Sequence, residues 1–192
     1  MCPWRTKDSP IYHLRKKSDL CPSAAVSFVE VLKENNNHPQ LFAIMSTHTI
    51  RLHRVIRSTP EKIYRAFTDA DAMCRWLPPF GFIGKVHHLE AKVGGSFKMS
   101  FTNFTTGGTH SFGGNFLELM PHEKLRYTDK FDDPNLPGEI MVTVLLKKVM
   151  CGTEINIEQA GVPAVIPAEM CYLGWQESLI QLAQLVEPDI QN

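Results

Sequence analysis

The sequence has few cysteines and pairs none of them in a spacing typical of metal binding. Its 192 residues include 5 cysteines, an odd number, and no Cys-x-x-Cys occurs. We therefore expect neither a disulfide framework nor a structural zinc site. Reduced thiols are typical of the cytosol.

Long apolar runs are also missing. No run approaches the ~20 residues that cross a bilayer, and the N-terminus lacks the apolar segment of a signal peptide. We therefore expect a soluble, cytoplasmic protein with no membrane partner.

The chain has no excess charge of either sign. Lys and Arg together number 20, as do Asp and Glu. Nucleic-acid binding normally requires a basic face, so we expect no nucleic-acid partner. Apolar residues make up 43% of the chain, which is enough for a hydrophobic core.

Composition divides the chain near Met45. Residues 1–44 are rich in proline and polar residues, and we expect a poorly ordered extension that the fold does not need. Translation that starts at Met45 is the alternative, and we favour this explanation over a genuine extension. Residues 45–192 read as one complete domain.

The domain begins with a strand and two helices. Ile50 and Leu52 alternate with charged residues, as in a half-buried strand. Residues 58–61 (STPE) predict a capped helix start with proline in the first turn. A second short helix is predicted over residues 71–76, and the prolines at 78–79 end it.

From residue 97 to residue 159 the pattern predicts a series of strands. Glycine pairs predict a tight turn at residues 94–95, a hairpin at 107–108 and a bend or bulge at 113–114. The predicted strands cover residues 97–102, 110–119, 125–131, 140–149 and 153–159.

One long helix, of about twenty residues, is predicted between Pro163 and Pro188. At ~1.5 Å per residue it crosses a small domain. We expect Gly174 to let it approach the sheet closely, and Trp175 to be buried with a partner for its indole N–H. Its apolar stripe consists of Cys171, Trp175, Leu179, Leu182 and Val186.

This order of elements predicts an α+β fold of the helix-grip type (Bet v 1/START-like), a curved antiparallel sheet of about six or seven strands around a long C-terminal helix. One helix cannot fill the concavity of such a sheet. We therefore expect a cavity that binds a small hydrophobic molecule. Its predicted lining is Trp76, Phe97, Met99, Phe101, His110, Phe112, Phe116, Tyr127, Met141, Met170, Trp175 and Leu179.

Polar clusters do not predict a metal or a cofactor. Neighbours such as His87 and His88 point to opposite faces of a regular strand and cannot chelate one ion. Four acidic residues lie around the loop that follows the predicted strand at residues 125–131. They lack the spacing of a calcium loop, and we interpret them as solvated. These residues are Asp129, Asp132, Asp133 and Glu139.

A few residues invite a catalytic interpretation. Cys171 and His110 would suit a nucleophile and its base, but no motif supports the pair, and packing explains Cys171 better. We assign no catalytic residue and favour binding over catalysis. If the cavity catalyses a reaction, its candidate polar groups are His110, Tyr127 and Glu118.

Short segments between residues 49 and 188 carry a family pattern. They are residues 57–67 (RSTPEKIYRAF), Trp76, residues 93–97 (VGGSF), 114–121 (GNFLELMP), 152–155 (GTEI) and Gly174-Trp175. In order and spacing they resemble the Hsp90-ATPase-activator-homologue (AHSA1-like) branch of the START/Bet v 1-like superfamily, also called SRPBCC.

The resemblance implies the fold and leaves the function open. This superfold includes lipid carriers, cyclases, hydrolases and co-chaperone domains. Three functions stay open: a carrier of a small hydrophobic molecule, an enzyme of the cyclase or hydrolase kind, and a co-chaperone-like interaction module. Residues 1–44 are too short for the additional N-terminal domain of the eukaryotic co-chaperone, so stimulation of an Hsp90 ATPase is not implied. A homodimer also stays open.

Overall fold

A computed structural model describes residues 47–190, which form a seven-stranded sheet and three helices. The predictions for residues 1–44 and for a start at Met45 lie outside the described residues. The elements are β1 (Thr47–Ile56), α1 (Pro60–Thr68), α2 (Ala70–Trp76), β2 (Phe82–Leu89), β3 (Ser96–Asn103), β4 (Thr109–Met120), β5 (Lys124–Phe131), β6 (Ile140–Val149), β7 (Gly152–Pro163) and α3 (Ala168–Val186).

The strands form one antiparallel sheet in the order β1-β7-β6-β5-β4-β3-β2. Strands that follow one another in the chain pair as hairpins, and β1 joins the far edge beside β7. The sheet curves around the C-terminal helix, so the predicted α+β helix-grip fold is confirmed. The predicted strand ranges do not include β2, in which only alternate residues are half-buried.

The two short helices begin at side-chain caps. Thr59 accepts a hydrogen bond from the backbone amide of Lys62 at the start of α1, and Pro60 occupies the first helical position, as predicted. Asp69 caps α2 by accepting from the amide of Ala72 at 2.9 Å. Helix α2 ends at Trp76 before the two prolines.

The glycine pair in β4 has a different role from the predicted bulge. Pairing with β3 is regular through Gly113 and Gly114, and the register instead shifts between Phe116 and Glu118. A Cβ on Gly114 would collide with the carbonyl oxygen of Thr128 in β5. Glycine is therefore required here so that neighbouring backbones can approach closely.

Helix α3 packs on the sheet mainly through its C-terminal half. Leu179, Leu182 and Val186 are buried, as the predicted stripe requires, whereas Cys171 and Trp175 are only half-buried. No helix in the described part of the chain is both long and apolar enough to cross a membrane.

The prediction for Gly174 is wrong. A Cβ on this residue would have no neighbour within 4 Å, so the glycine does not bring α3 close to the sheet. The space beside it belongs to a cavity.

Candidate functional site

A partly open cavity of about 210 Å³ lies between the concave face of the sheet and the N-terminal half of α3. Most of the residues predicted to line it do so. They are Trp76, Phe97, Phe101, His110, Phe112, Phe116, Tyr127, Met170 and Trp175.

Met99, Met141 and Leu179 lie outside the cavity lining. Met99 and Leu179 are buried in the packed core. Met141 stands between Ile140 and Val142, which both line the cavity. Since successive strand residues point to opposite faces, Met141 faces away from it.

The predicted lining does not include the part of the wall that comes from the connections beside the helices. Leu77, Pro79 and Phe82 lie around the two prolines that end α2, and Ile166 precedes α3. Residues in connections have no periodicity that predicts their direction. Other additional lining residues are Phe67, Met73, Phe131, Val162, Cys171, Gln159, Glu177 and Ser178.

Aromatic rings form a continuous wall on the β3–β5 side of the cavity. Phe101 and Phe112 stack edge to face with their centroids 4.8 Å apart. Tyr127 meets Phe97 at 5.6 Å and Phe116 at 6.0 Å, also edge to face. These contacts fix the ring orientations, and the wall they form is rigid and apolar.

Both tryptophans of the lining have their indole N–H groups occupied. Trp76 donates to the carbonyl oxygen of Ala66 at 2.8 Å, and Trp175 donates to Oε1 of Gln159 at 2.9 Å. The predicted partner for the Trp175 indole is thus present. Neither N–H is free to bind a ligand, so both residues offer ring surface to the cavity.

Two polar atoms of the lining are buried and have no hydrogen-bond partner among the described residues. They are Nε2 of His110 and Oδ1 of Asp129. A buried polar atom without a partner costs ~1–3 kcal/mol, so such atoms are rare in folded proteins.

Asp129 corrects the prediction of a solvated acidic loop. It lies on β5 between Tyr127 and Phe131, and all three line the cavity. Burial raises the pKa of Asp129 to about 7, although a hydrogen bond from the Lys130 amide and the charge of Lys98 oppose the rise. The alternation of Tyr127, Asp129 and Phe131 was the signal that predicts this position.

The other acidic residues of the patch behave differently. Asp132 is exposed and forms an ion pair with Lys98, and Asp133 accepts a hydrogen bond from the amide of Asn135 in the following turn. Glu139 is exposed. They agree with the solvated-loop interpretation.

The groups proposed for catalysis do not all meet in the cavity. Glu118 lies outside its lining and pairs with Nζ of Lys124 at 2.8 Å. Tyr127 lines it, but burial and the nearby charge of Asp129 raise its pKa, which keeps the phenol protonated. His110 and Asp129 are therefore the lining residues best suited to exchange a proton with a bound molecule.

Cys171 also lines the cavity but is poorly suited to act as a nucleophile. Burial, with a smaller contribution from the charge of Glu169, raises the pKa of its thiol to about 11. The thiolate is the reactive form of cysteine. Cys171 is therefore protonated near neutral pH, which agrees with a packing role.

The histidine pair in β2 lies outside the cavity. The register shifts between Val86 and His88, so regular alternation does not apply at His87. Nε2 of His87 lies 2.8 Å from Oγ of Ser100, and both histidines are exposed. Within residues 47–190, no three His, Cys, Asp or Glu side chains converge on a metal-sized site.

Comparison with known proteins places this fold in a family. Residues 57–187 match the family model described as activator of Hsp90 ATPase homolog 1-like protein. No protein of curated function matches the chain.

Solved bacterial structures share the fold. A Chromobacterium violaceum protein is 55% identical, with a TM-score of 0.73 over 73% of this chain and 98% of that one. A Mesorhizobium loti protein is 27% identical, with a TM-score of 0.59 over 72% and 96% of the two chains. A Nitrosomonas europaea protein at 20% identity shares the fold, with a TM-score of 0.62 over 77% and 97%. The chain therefore belongs to the activator of Hsp90 ATPase homolog 1-like family, a branch of the SRPBCC superfamily.

Proposed function

We propose that this protein binds a small hydrophobic molecule in the cavity between the sheet and α3. The observation that carries the proposal is the partly open cavity of about 210 Å³ with a wall of aromatic rings. A dry cavity of ~150 Å³ accommodates benzene. The space here therefore suits a single aromatic ring with a short side chain.

The lining favours retention of such a molecule. Rings such as Phe101, Phe112 and Trp175 provide apolar surface that stays in place without a ligand, because ring contacts and a hydrogen bond hold them. Burial of apolar surface contributes ~25 cal/mol per Å². A preformed pocket keeps the ordering cost of binding low.

Gly174 offers a direct test. Ethylbenzene is titrated into the protein, and binding is followed by calorimetry and by tryptophan fluorescence, since Trp76 and Trp175 line the cavity. Gly174→Leu should fill the space beside α3 and abolish binding. Gln176→Leu adds the same bulk at an exposed position of the same helix and should bind like the wild type.

Each outcome decides the proposal. Saturable ethylbenzene binding that Gly174→Leu removes and Gln176→Leu retains supports the cavity as the site. Absence of binding to the folded wild type, or equal binding by both variants, would contradict it.

An enzyme is the second candidate function, because the cavity contains two buried polar atoms without partners. His110 and Asp129 could move a proton to or from a bound molecule. A molecule that copurifies with the protein and is recovered unchanged after incubation favours binding, whereas its conversion favours catalysis. Chaperone contact and a homodimer stay predictions.

A further inference from the structure

The cavity has carboxylates but lacks fixed cationic side chains. Asp129 and Glu177 line it, whereas no Lys or Arg of residues 47–190 does. Oε2 of Glu177 accepts a hydrogen bond from the Phe80 amide at 3.0 Å. Oδ1 of Asp129 has no such partner within the described part of the chain.

The nearest positive charge does not neutralise Asp129 from within the cavity. Lys98 affects the Asp129 carboxyl electrostatically, but its Nζ pairs with Asp132. Lys98 alternates along β3 with Phe97, which lines the cavity, so its side chain starts on the opposite face of the sheet. Within residues 47–190, no Lys or Arg places a positive charge on the cavity side of Asp129, whereas the ammonium group of a bound molecule would.

Other groups of the cavity lining suit a cation with several hydrogens to donate. Nε2 of His110 is a second buried atom without a partner and can accept a hydrogen bond when that nitrogen is unprotonated. Rings of Tyr127, Trp175 and Phe101 surround the space. Aromatic faces attract cations, most strongly where water is excluded.

We propose that the cavity selects small hydrophobic amines, whose ammonium group donates to Oδ1 of Asp129 while the apolar part packs against the aromatic wall. This inference rests on the proposed function and adds the chemical class of the ligand. The ammonium group gives Oδ1 of Asp129 the partner that it lacks among residues 47–190, and burial, which raises the pKa of this carboxyl, makes a partner for its charge favourable.

The same geometry disfavours carboxylate ligands. A fatty acid or aryl acid would bring a second negative charge beside Asp129 and find no Lys or Arg in the described lining. Two like charges in a poorly solvated site repel strongly. The cavity therefore discriminates between head groups of opposite charge on the same hydrocarbon.

Three molecules of similar size but different head group are compared: 2-phenylethylamine, 2-phenylethanol and phenylacetate. Ethylbenzene, which has no polar head group, is the reference. We expect the amine to bind on the order of tenfold more tightly than the alcohol, as a charge-assisted hydrogen bond in a buried site allows. Phenylacetate should bind most weakly. Calorimetry at pH 7.5 and 0.15 M salt provides the dissociation constants.

Two variants assign the effect to one carboxylate. Asp129→Asn should remove most of the amine preference, measured within the variant as the ratio of its dissociation constants for the amine and for ethylbenzene. Glu177→Gln removes the other lining carboxylate and should preserve the preference, because Glu177 is already engaged by Phe80.

The results separate this inference from the proposed function. If ethylbenzene fails to bind the wild type, the binding function itself fails. If ethylbenzene binds but the amine binds no more tightly than the alcohol, or if Asp129→Asn keeps the preference, the amine inference is overturned and hydrophobic binding stands.

Discussion

The indole Nε1–H of Trp175 donates a hydrogen bond to Oε1 of Gln159 at 2.9 Å, and this bond joins α3 to β7. Gln159 pairs with Ile50 in β1 and with Val142 in β6. The bond therefore attaches the cavity-lining half of α3 to an interior strand of the sheet. This half of the helix borders the cavity on one side, and three of its partly buried residues also pack against the core, namely Ala168, Cys171 and Tyr172.

Replacement of Trp175 should destabilise the protein in two separable steps. Trp175→Phe keeps an aromatic ring but leaves Gln159 unpaired, with an expected cost of about 1–3 kcal/mol in the free energy of unfolding. Trp175→Ala also removes the ring, and the cost should approach ~3 kcal/mol, the low end for buried large aromatics, because the residue is only half-buried. Urea denaturation of the three proteins measures both steps.

A double variant isolates the hydrogen bond from the ring. In Trp175→Phe combined with Gln159→Leu, neither partner is left unpaired, so the combined loss should be smaller than the sum of the single losses. Strict additivity would mean that the bond does not contribute to stability in solution.

Gly174→Ala should raise stability by about 1 kcal/mol. Alanine is the better helix former by ~0.8–1.0 kcal/mol, and its Cβ would meet no atom within 4 Å. Gly114→Ala is the matched contrast, because its Cβ would collide with the Thr128 carbonyl. In thermal unfolding, Gly174→Ala should melt at a higher temperature than the wild type and Gly114→Ala at a lower one. A lower melting temperature of Gly174→Ala would mean that this part of α3 packs closely against its neighbours.

The sequence pattern was sufficient for six of the seven strands, the cap of α1 and the buried stripe of α3, because these depend on local periodicity and capping chemistry. Leu179, Leu182 and Val186 illustrate this. Periodicity alone does not distinguish helix residues that pack on the sheet from those that border a cavity. The sequence therefore predicts that Leu179 lines the cavity and that Gly174 contacts the sheet, and both predictions are wrong.

Asp129 shows a different limit of sequence reasoning. Its charge and its acidic neighbours favour a solvated loop, and only its place in the alternation between Tyr127 and Phe131 indicates the interior. The energetic preference for exposed carboxylates is strong, so composition dominates the prediction. Functional sites are where this preference is most often violated.

Cysteine reactivity should separate the cavity from the surface. Cys151 is exposed in the turn between β6 and β7, whereas burial raises the pKa of Cys171 to about 11. Iodoacetamide at pH 8 should therefore modify Cys151 much faster than Cys171, because the thiolate is the reacting species. Peptide mass spectrometry over a time course measures each site separately, and equal rates would show that Cys171 is open to solvent.

Asp129 should contribute a loss of stability as pH rises from about 4 to about 7, and Asp129→Asn should remove this contribution. The pKa of Asp129 is about 7 in the folded protein, against 3.8 for an ordinary aspartate. Between these values the folded state binds a proton that the unfolded state has lost, so deprotonation favours unfolding. Above pH 7 both states are charged, and the cost stays constant at a few kcal/mol.

The variant comparison assigns this pH dependence to one carboxyl group. Asp129→Asn changes none of the other titratable groups that line the cavity or act on Asp129 electrostatically, which are His110 from β4, Lys98 from β3, Tyr127 from its own strand, and Cys171 and Glu177 from α3. Denaturant unfolding from pH 4 to pH 8.5 should show equal stability of variant and wild type at the acid end and a more stable variant above pH 7. Glu139→Gln changes the charge equally at an exposed position and should show no such divergence. The difference in unfolding free energy between Asp129→Asn and wild type should grow between pH 4 and pH 7 only if the folded-state pKa of Asp129 lies well above the ordinary value. A difference that is the same at every pH would mean that Asp129 titrates as a solvated carboxylate.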